Sequence, residues 1–310
     1  MQLSVGLGAQ ALNQERDRRV SRHDPGGNRA ARAPVITVCP MTQVADRSRI
    51  GILLRDWRRR RRMSQLDLAL EAGVSARHVS FVETGRSRPS AEMVIQLAEH
   101  LDVPLRDRNA MLLAAGFAPG FAERPLSDPE LAQIQEGLGF LLDQLEPVPV
   151  VVVDRGWNVV RSNAGAARFA ARLLGPIPEA FAARPNSLRL LLHPDGLRRV
   201  VVNWDEVATA LLRQLRRAVH AAPGDPVVEA LYEEIVAYPG LPCSFPRADD
   251  SETEPVVVPL HVRANGFEAR LLSMMATLAR AHDVTVQELR VETLVPADGA
   301  SLAALRALAR

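Results

Sequence analysis

The chain has 310 residues, of which 47% are hydrophobic and 24% charged, enough apolar sequence for two domains with their own cores. No apolar run approaches the roughly 20 residues that a bilayer-spanning helix needs, and the first residues lack the apolar core of a signal peptide. We therefore expect a cytoplasmic protein that does not enter a membrane. Cys39 and Cys243 form no CxxC or Cys/His cluster, so we expect neither a disulfide framework nor a metal site.

The net charge of +2 conceals an asymmetry along the chain. Residues 2–120 hold 19 arginines against 12 acidic residues, a net charge of +7, and the remainder has a net charge of −5. Residues 1–40 are polar and interrupted by glycine and proline, and we expect this tail to be disordered. A basic arm that contacts DNA is the alternative interpretation of the tail.

Signals that begin and end helices are dense in residues 58–101. Three serines have helix-capping positions and two glycines favour helix ends: Ser64, Ser75 and Ser90, then Gly73 and Gly85. Asp67, three residues after Ser64, completes a capping box. We expect five helices in residues 41–120, the first at about residues 46–61 and the fifth following Pro104 and ending at Gly116.

The apolar positions of these helices predict which faces are buried. In helix two we expect Leu66, Ala69 and Leu70 to face the core, and in helix three Val79 and Val82. The first and fourth helices carry core-spaced residues of their own, namely Ile50, Leu53, Leu54 and Trp57, then Met93, Val94, Leu97 and Leu101. The result is a small all-α bundle that leaves the outer face of helix three free.

That free face points to nucleic-acid binding. The short turn Gly73–Ser75 sets helices two and three at the steep angle of a helix-turn-helix. Arginines Arg58 to Arg62 end helix one, and Arg86 and Arg88 follow helix three, where they could neutralise phosphates. The alternative is a helical hairpin with a solvated basic end, but the order of caps, turn and core positions favours DNA binding.

The segment GVSARHVSFVETGRSRPS resembles the lambda-repressor-like regulators of the xenobiotic-response-element type. The resemblance implies that the residue opening helix two touches the DNA backbone or the first base pair, and that the start of helix three reads base edges. Arg77 can pair bidentately with guanine. Phe81 could pack on a sugar or thymine methyl, or join the core, and both stay open. The expected DNA-contacting residues are Gln65, Ser75, Ala76, Arg77, His78, Ser80, Phe81, Arg86 and Arg88.

Two further expectations concern this domain. In the resembled family an arginine late in helix one often pairs with the glutamate that ends helix three, and Arg58 and Glu83 occupy these places. The resemblance therefore implies a structural ion pair. One short recognition helix contacts too few base pairs for operator-level specificity, so we expect a homodimer on a two-fold symmetric, double-stranded DNA operator.

The rest of the chain predicts a connector followed by a mixed α+β domain. Residues 128–146 have apolar residues at helical spacing, which predicts a connector helix within residues 121–146 that packs on one or both flanking domains. Over residues 147–310 we expect a β-hairpin around Asp154–Gly156, a helix from Asn163 to Gly175, helices over residues 187–238, strands at 256–262, 269–277 and 287–295, and a final helix from Ser301.

Three strings in this region, VVVDRGWNVVRSN, LLHPDGLRRVVVNWDEVA and HDVTVQELRVETLVPAD, resemble the ligand-binding domain of MmyB-like transcriptional regulators. The resemblance implies a PAS-like domain whose antiparallel sheet cups a pocket for a small apolar effector. Trp157, Asn158 and Trp204 are the candidate ligand contacts, and a core position is the alternative for Trp204. The chain is thus predicted to be multidomain, with an all-α five-helix lambda-repressor-like DNA-binding domain followed by an α+β PAS-like domain. Residues 241–255, with acidic ADDSETEP, depart from the family pattern.

Two neighbouring histidine and aspartate pairs invite a catalytic interpretation, His193 with Asp195 and His282 with Asp283. HPDG is also a standard turn, and no HExxH, GxSxG, P-loop or GxGxxG motif with a following acidic residue is present. We therefore expect no catalytic residue, metal or cofactor.

Two functional classes remain. One is a one-component regulator whose C-terminal domain binds an effector, and the other is a DNA-binding regulator whose C-terminal domain only dimerises or recruits a partner. In the first class an effector must bind the DNA-competent and incompetent states with different affinities. We expect that coupling to run through the connector helix, the only rigid element predicted between the domains.

Overall fold

The structure is a computed structural model that describes residues 41–176, 179–242 and 257–310. The tail predicted to be disordered, both cysteines and most of the acidic segment 241–255 lie outside these ranges. Residues Thr42–Arg310 form one compact unit. No helix among the described residues combines the length and apolar content that crossing a bilayer requires.

From residue 41 onward, the N-terminal part is a bundle of five helices, as the capping signals predict. Ser64 forms the predicted capping box, accepting from the Asp67 amide while the Asp67 carboxylate accepts from the Ser64 amide. Ser75 and Ser90 cap the next two helices, each accepting a hydrogen bond from the backbone amide three residues further on. The helices are α1 (Met41–Arg60), α2 (Gln65–Glu71), α3 (Ala76–Glu83), α4 (Ala91–His100) and α5 (Leu105–Ala114).

One apolar cluster holds these helices together, and it corrects the predicted face of α2. Leu66 and Leu70 are 57% and 71% exposed, whereas Leu68 and Ala69 are 0% and 1% exposed. A two-turn helix is compatible with either apolar stripe. The stripe that continues into buried Ala72, just after α2, is the one that packs on the other helices.

The predicted connector helix exists but belongs to the C-terminal part of the fold. A 3₁₀ turn at Pro129–Leu131 leads into α6 (Ala132–Gln144). Leu138 and Leu142 of α6 pack on valines of the sheet, within one buried cluster. This helix is therefore a layer over the sheet and not a spacer between two domains.

The described residues form a sheet of five strands in which every pair of neighbours is antiparallel, in the order β2-β1-β5-β4-β3. The predicted hairpin forms its first two strands. The last strand begins later than predicted because Asp283 caps a short helix, α12 (Val284–Glu288), which takes the first residues of the predicted strand. The strands are β1 (Val150–Val153), β2 (Val159–Ser162), β3 (Leu260–Ala264), β4 (Phe267–Thr277) and β5 (Arg290–Pro296).

Side chains that alternate along β1 show how the sheet is covered. Val150 and Val152 face α6, and Val151 and Val153 face a helical layer on the other side. The remaining helices are α7 (Ala164–Leu174), α8 (Glu179–Ala182), α9 (Ser187–Leu192), α10 (Trp204–Ala221), α11 (Pro226–Val236) and α13 (Gly299–Leu308), with a 3₁₀ turn at Leu197–Val200. The C-terminal part is thus an α+β structure, as predicted.

The start of the last helix differs from the prediction. Asp298, and not Ser301, caps α13, accepting a hydrogen bond of 2.7 Å from the Ser301 amide. Ser301 is buried one turn later, where its hydroxyl accepts from the Arg270 amide at 2.9 Å. The serine therefore ties α13 to β4, a contact that local sequence does not reveal.

The helical bundle also touches the C-terminal part directly. The Leu105 amide at the start of α5 donates to Gln287 Oε1 of α12 at 2.7 Å, and Arg106 Nε donates to Glu288 Oε1 at 2.7 Å. The Val284 amide donates to the Ala122 carbonyl at 2.8 Å. The expectation that the connector helix is the only rigid link is therefore wrong, because partners 182 residues apart meet here.

Candidate DNA-binding surface and ligand cavity

The placement of α3 is set by its cap, its turn and its two valines. Ser75 Oγ accepts from the His78 amide at 3.1 Å, and Gly73 has a φ of 65°, which lets the chain reverse after α2. Val79 and Val82 are 0% and 1% exposed. With that side fixed in the core, the opposite side of α3 faces solvent.

Three predicted DNA-contacting residues come together on this outer side. The Arg77 guanidinium lies 5.0 Å from the centre of the Phe81 ring, and the Arg86 guanidinium lies 6.0 Å from it. Phe81 is half-buried and stands outside the apolar cluster of the bundle. Both arginines are exposed. The ring therefore supports two cations at the surface and does not join the core.

Other predicted contacts are engaged in the fold. Gln65 Nε2 donates to Glu83 Oε2 at 2.8 Å. The Arg88 guanidinium donates twice to the Ala115 carbonyl, at 3.0 and 3.2 Å, and so fixes the end of α5. Ala76 packs against the apolar cluster. His78 and Ser80 are half-buried on α3, beside this cluster of exposed cations.

The ion pair predicted between Arg58 and Glu83 is present. Arg58 Nε and Nη2 donate to the two Glu83 carboxylate oxygens at 2.6 and 3.0 Å, and the Glu83 side chain is 0% exposed. Burial raises the pKa of Glu83, but hydrogen bonds from Arg58 and Gln65 and the charges of Arg58 and Arg55 outweigh it, so this pKa lies below its usual value. The pair joins the end of α3 to α1.

The arginine run at the end of α1 serves two purposes. Arg58 and Arg61 are structural: Arg58 also donates to the Met63 carbonyl at 2.7 Å, and Arg61 Nε donates to the Leu101 carbonyl at 2.7 Å. Arg59, Arg60 and Arg62 carry no such hydrogen bond within the described part of the chain. Only the family resemblance sets Arg58 apart in the sequence, because a run of one residue type contains no signal for which side chains turn inward.

The C-terminal part contains a cavity of about 510 Å³ between α10 and the sheet. Its walls are mainly apolar, and its polar groups are the side chains of Arg213, Gln214 and Arg217 on α10 and of Ser273 and Glu292 on the sheet. The Ser273 hydroxyl and the Glu292 carboxyl are 3.0 Å apart. Burial raises the pKa of Glu292, while the hydrogen bond from Ser273 lowers it to a smaller extent. The apolar wall is formed by Leu191, Val207, Ala210, Leu211, Leu260 and Leu294.

The three candidate ligand contacts lie elsewhere. Trp157 is 1% exposed with a φ of 60° in the β1–β2 turn, and Asn158 Nδ2 donates to the Asp154 carboxylate at 2.9 Å. Trp204 packs between two buried clusters, and its buried indole nitrogen has no hydrogen-bond partner among the described residues. None of the three lines the cavity beside α10.

The histidine and aspartate pairs have structural surroundings. His193 Nδ1 accepts from the Asp195 amide at 3.1 Å, as the turn interpretation expects, and its ring packs edge-on against Phe181 and Tyr238. Asp283 caps α12 and pairs with Arg124 at 3.2 Å. Neither pair lies in the cavity beside α10.

Comparisons with known proteins agree with this two-part architecture. Residues 134–308 match the MmyB-like transcription regulator ligand binding domain, and residues 54–107 match a helix-turn-helix family. The comparison with curated proteins returned no match.

Several solved structures are similar to part of the chain. The restriction-modification controller protein C.AhdI from Aeromonas hydrophila is 33% identical, over 21% of this chain and 97% of that one, with a TM-score of 0.20. The clp gene regulator ClgR from C. glutamicum is 27% identical, over 23% of this chain and 88% of that one, with a TM-score of 0.21. An HTH_3 family transcriptional regulator from Vibrio cholerae is 26% identical, over 23% and 38%, with a TM-score of 0.21.

Proposed function

We propose that this chain is a one-component transcriptional regulator. It belongs to the MmyB-like transcription regulator ligand-binding domain family and carries a DNA-binding helix-turn-helix ahead of that domain. In this proposal the bundle α1–α5 is a lambda-repressor-like domain that reads a DNA operator, and the α+β part is a PAS-like domain that binds an apolar effector. A regulator of this kind acts in the compartment that holds the DNA, so a cytoplasmic location is part of the proposal.

The DNA-binding half rests on one observation, the cation cluster that Arg77, Phe81 and Arg86 form on the outer side of α3. A guanidinium near the start of a recognition helix can reach the O6 and N7 atoms of guanine. Arg86 follows the helix and, in this proposal, contacts a phosphate. Because one helix of this length covers few base pairs, two copies on a two-fold symmetric site would supply the specificity.

The test compares two arginine variants on operator and unrelated DNA. Arg77→Ala should cost about 1 to 3 kcal/mol on the operator and relax preference at one base position. Arg86→Ala should weaken binding to all sequences alike and reduce the salt dependence. Arg306→Ala, at an exposed position of α13, is the matched control. Footprints without half-site symmetry, or equal effects of Arg77→Ala on operator and random DNA, would contradict this half of the proposal.

The effector-binding half rests on the cavity beside α10. Its volume of about 510 Å³ lies in the range of small-molecule sites, which are mostly apolar with few polar groups. Burial raises the pKa of Glu292 above its usual value. The lining also contains Gln214 and Arg217, whose N–H groups can donate hydrogen bonds. The cavity therefore suits a mainly apolar molecule that carries a hydrogen-bond acceptor.

Native mass spectrometry of freshly purified protein tests this half. We expect a retained ligand in the wild type and its loss in Ala210→Phe, which places a ring in the cavity. Ala167→Phe, at an exposed position of α7, is the control and should retain the ligand. Equal ligand content in Ala210→Phe and wild type would contradict the assignment of the cavity.

A second candidate role for the C-terminal part is assembly, and exposed apolar side chains favour it. Phe140 of α6 is 68% exposed and Met274 of β4 is 60% exposed. Exposed apolar groups of this size are common where a second chain docks. If Phe140→Glu and Met274→Glu abolish dimers and DNA binding while no effector changes operator affinity, the assembly role replaces the sensor role.

In this proposal, effector binding is coupled to DNA binding through the two hydrogen bonds between α5 and α12. Effector binding beside α10 could displace the sheet, which carries α6 on its other face and continues into α12. Because α12 contacts α5, a change in the sheet reaches the bundle without passing through α6. A coupling of roughly 1 to 3 kcal/mol would change operator occupancy about 5- to 150-fold.

A further inference from the structure

A second cavity lies where the helical bundle meets the α+β part. It has a volume of about 730 Å³ and is lined from four directions. The start of α5 forms one wall, the β1–β2 turn a second, the α10–α11 connection a third, and α12 with the start of β5 the fourth. We call it the junction cavity. It is separate from the cavity beside α10, with which it shares no lining residue.

Most charges around the junction cavity neutralise one another. Arg106 pairs with Glu288 and with Glu123, and Arg155 pairs with Asp225 at 2.5 Å and lies 3.8 Å from Glu288. In these ion pairs, Asp225 on the α10–α11 wall and Glu288 on the α12 wall already have arginine partners. The cations of the junction cavity that lack an ion-pair partner among the described residues are Arg108 and Arg290.

Acidic groups without a partner are also present, on α5 and just before it. Burial raises the pKa of Asp107 above its usual value. Asp102 is exposed at the rim. The lining holds four arginines and four acidic residues, so Arg290 is distinguished by its lack of a carboxylate partner and not by an overall positive charge of the cavity.

Arg290 is held as a preformed docking group. Its guanidinium lies 4.6 Å from the centre of the Trp157 ring, and Trp157 is 1% exposed. No carboxylate oxygen of the described residues lies within 4.0 Å of Arg290; Glu288 and Asp154 act on it only at longer range. Stacking fixes the plane of the guanidinium, so little further ordering is needed when an anion binds.

The rest of the cavity wall is apolar and small. The α10–α11 connection contributes Ala222 and Pro223, and the adjoining ends of the two helices contribute Ala218 and Val228. A molecule with a planar or compact apolar body would lie against these side chains while its charged end faces Arg290. A guanidinium that presents parallel N–H groups matches the two oxygens of a carboxylate or phosphate.

We propose that the junction cavity is a binding site for a small organic anion, whose carboxylate or phosphate monoester group pairs with Arg290 and whose apolar body packs on the α10–α11 connection. The occupant would contact α5 and α12 together, so its binding favours the docked arrangement of the bundle on the α+β part. The site does not depend on an effector beside α10, and the two can be tested separately.

Calorimetric titration of the full chain tests the proposal with four probes. Benzoate carries a carboxylate on an apolar ring, phenyl phosphate carries a phosphate monoester on the same ring, benzamide is the neutral isostere of benzoate, and inorganic phosphate lacks the apolar body. We expect saturable binding of benzoate or phenyl phosphate below roughly 10 mM and none of benzamide. The tighter of the two identifies the anionic group. Stronger binding of inorganic phosphate than of either aromatic anion would contradict the proposed packing of an apolar body on the α10–α11 connection.

Arginine variants locate the site. Arg290→Met should weaken anion binding about ten- to a hundredfold, the loss of one charge-assisted pair. Arg198→Met is the matched control, because Arg198 also stacks on a tryptophan, 4.7 Å from the Trp204 ring, and does not line the junction cavity. Arg290→Lys keeps the charge without the fork and should bind with intermediate affinity, which provides a variant should Arg290→Met fold poorly.

Hydrogen exchange supplies a measurement that needs no variant. Anion binding should protect peptides from residues 102–108 and 287–290 together. No saturable binding of either aromatic anion, wild-type affinity in Arg290→Met, or protection confined to the cavity beside α10 would each overturn the proposal. Any of these results would refute the anion site alone and would leave the proposals of DNA binding and effector binding untouched.

Discussion

Removing the buried charge of Glu83 should destabilise the DNA-binding bundle strongly. The Glu83 side chain is 0% exposed and that of Arg58 is 11% exposed. The carboxylate accepts from Arg58 at 2.6 and 3.0 Å and from Gln65 at 2.8 Å. Glu83→Gln has a similar shape but leaves the Arg58 cation without a counter-charge in the interior. Stranding one partner of a buried pair costs about 3 to 5 kcal/mol.

The magnitude depends on which partner is removed. Arg55 lies 3.5 Å from Glu83 and is 37% exposed, so it can partly replace Arg58. We therefore expect Arg58→Met to cost less than Glu83→Gln. Replacing both residues by methionine should recover much of the loss, because a paired apolar replacement leaves no buried charge. Glu71→Gln, at an exposed position of α2, is the control and should be within about 0.5 kcal/mol of wild type.

Urea unfolding measured by hydrogen exchange in residues 50–115 isolates the bundle from the rest of the chain. The pH dependence gives an independent check. Since the folded pKa of Glu83 is lowered, its stabilisation is present above the unfolded pKa of about 4.3 and is lost as the pH falls through the folded value. The advantage of wild type over Glu83→Gln should therefore shrink below about pH 4.3. A cost under about 1 kcal/mol at neutral pH, typical of a surface pair, would refute this reasoning.

Other variants test packing and the domain junction. A Cβ at Gly51 would lie 2.5 Å from the Glu83 carbonyl oxygen, so Gly51→Ala should cost about 1 to 3 kcal/mol in urea unfolding. Gly137→Ala, whose Cβ meets nothing within 4 Å in α6, should instead stabilise by about 0.5 to 1 kcal/mol; equal effects of the two would contradict both. Arg106→Met removes a partly exposed pair with Glu288, so stability should change by about 1 kcal/mol or less, while hydrogen exchange in α12 should accelerate. Unchanged exchange there would show that this pair does not hold the junction.

Local signals explain why the order of the elements was predictable. The caps Ser64 and Ser75 and the turn glycine Gly73 act within a few residues of themselves, so their effect does not depend on the rest of the chain. The β1–β2 hairpin and the helix capped by Asn163 follow the same logic. The Arg58–Glu83 pair required more, since the expectation came from resemblance to a family.

Tertiary packing decided what local signals leave open. Two apolar stripes compete on α2, and contact with the other helices selects Leu68 over Leu66. Arg86 and Arg88 look equivalent in sequence, yet Arg86 lies beside the Phe81 ring at the surface and the Arg88 guanidinium donates to the Ala115 carbonyl. Arg290 has no carboxylate partner because the nearby Glu288 of α12 pairs instead with Arg106, which is 182 residues away from Glu288 in the chain. The local elements follow from short-range hydrogen bonds and from hydrophobic periodicity, whereas burial and charge pairing depend on distant partners that only the folded chain brings together.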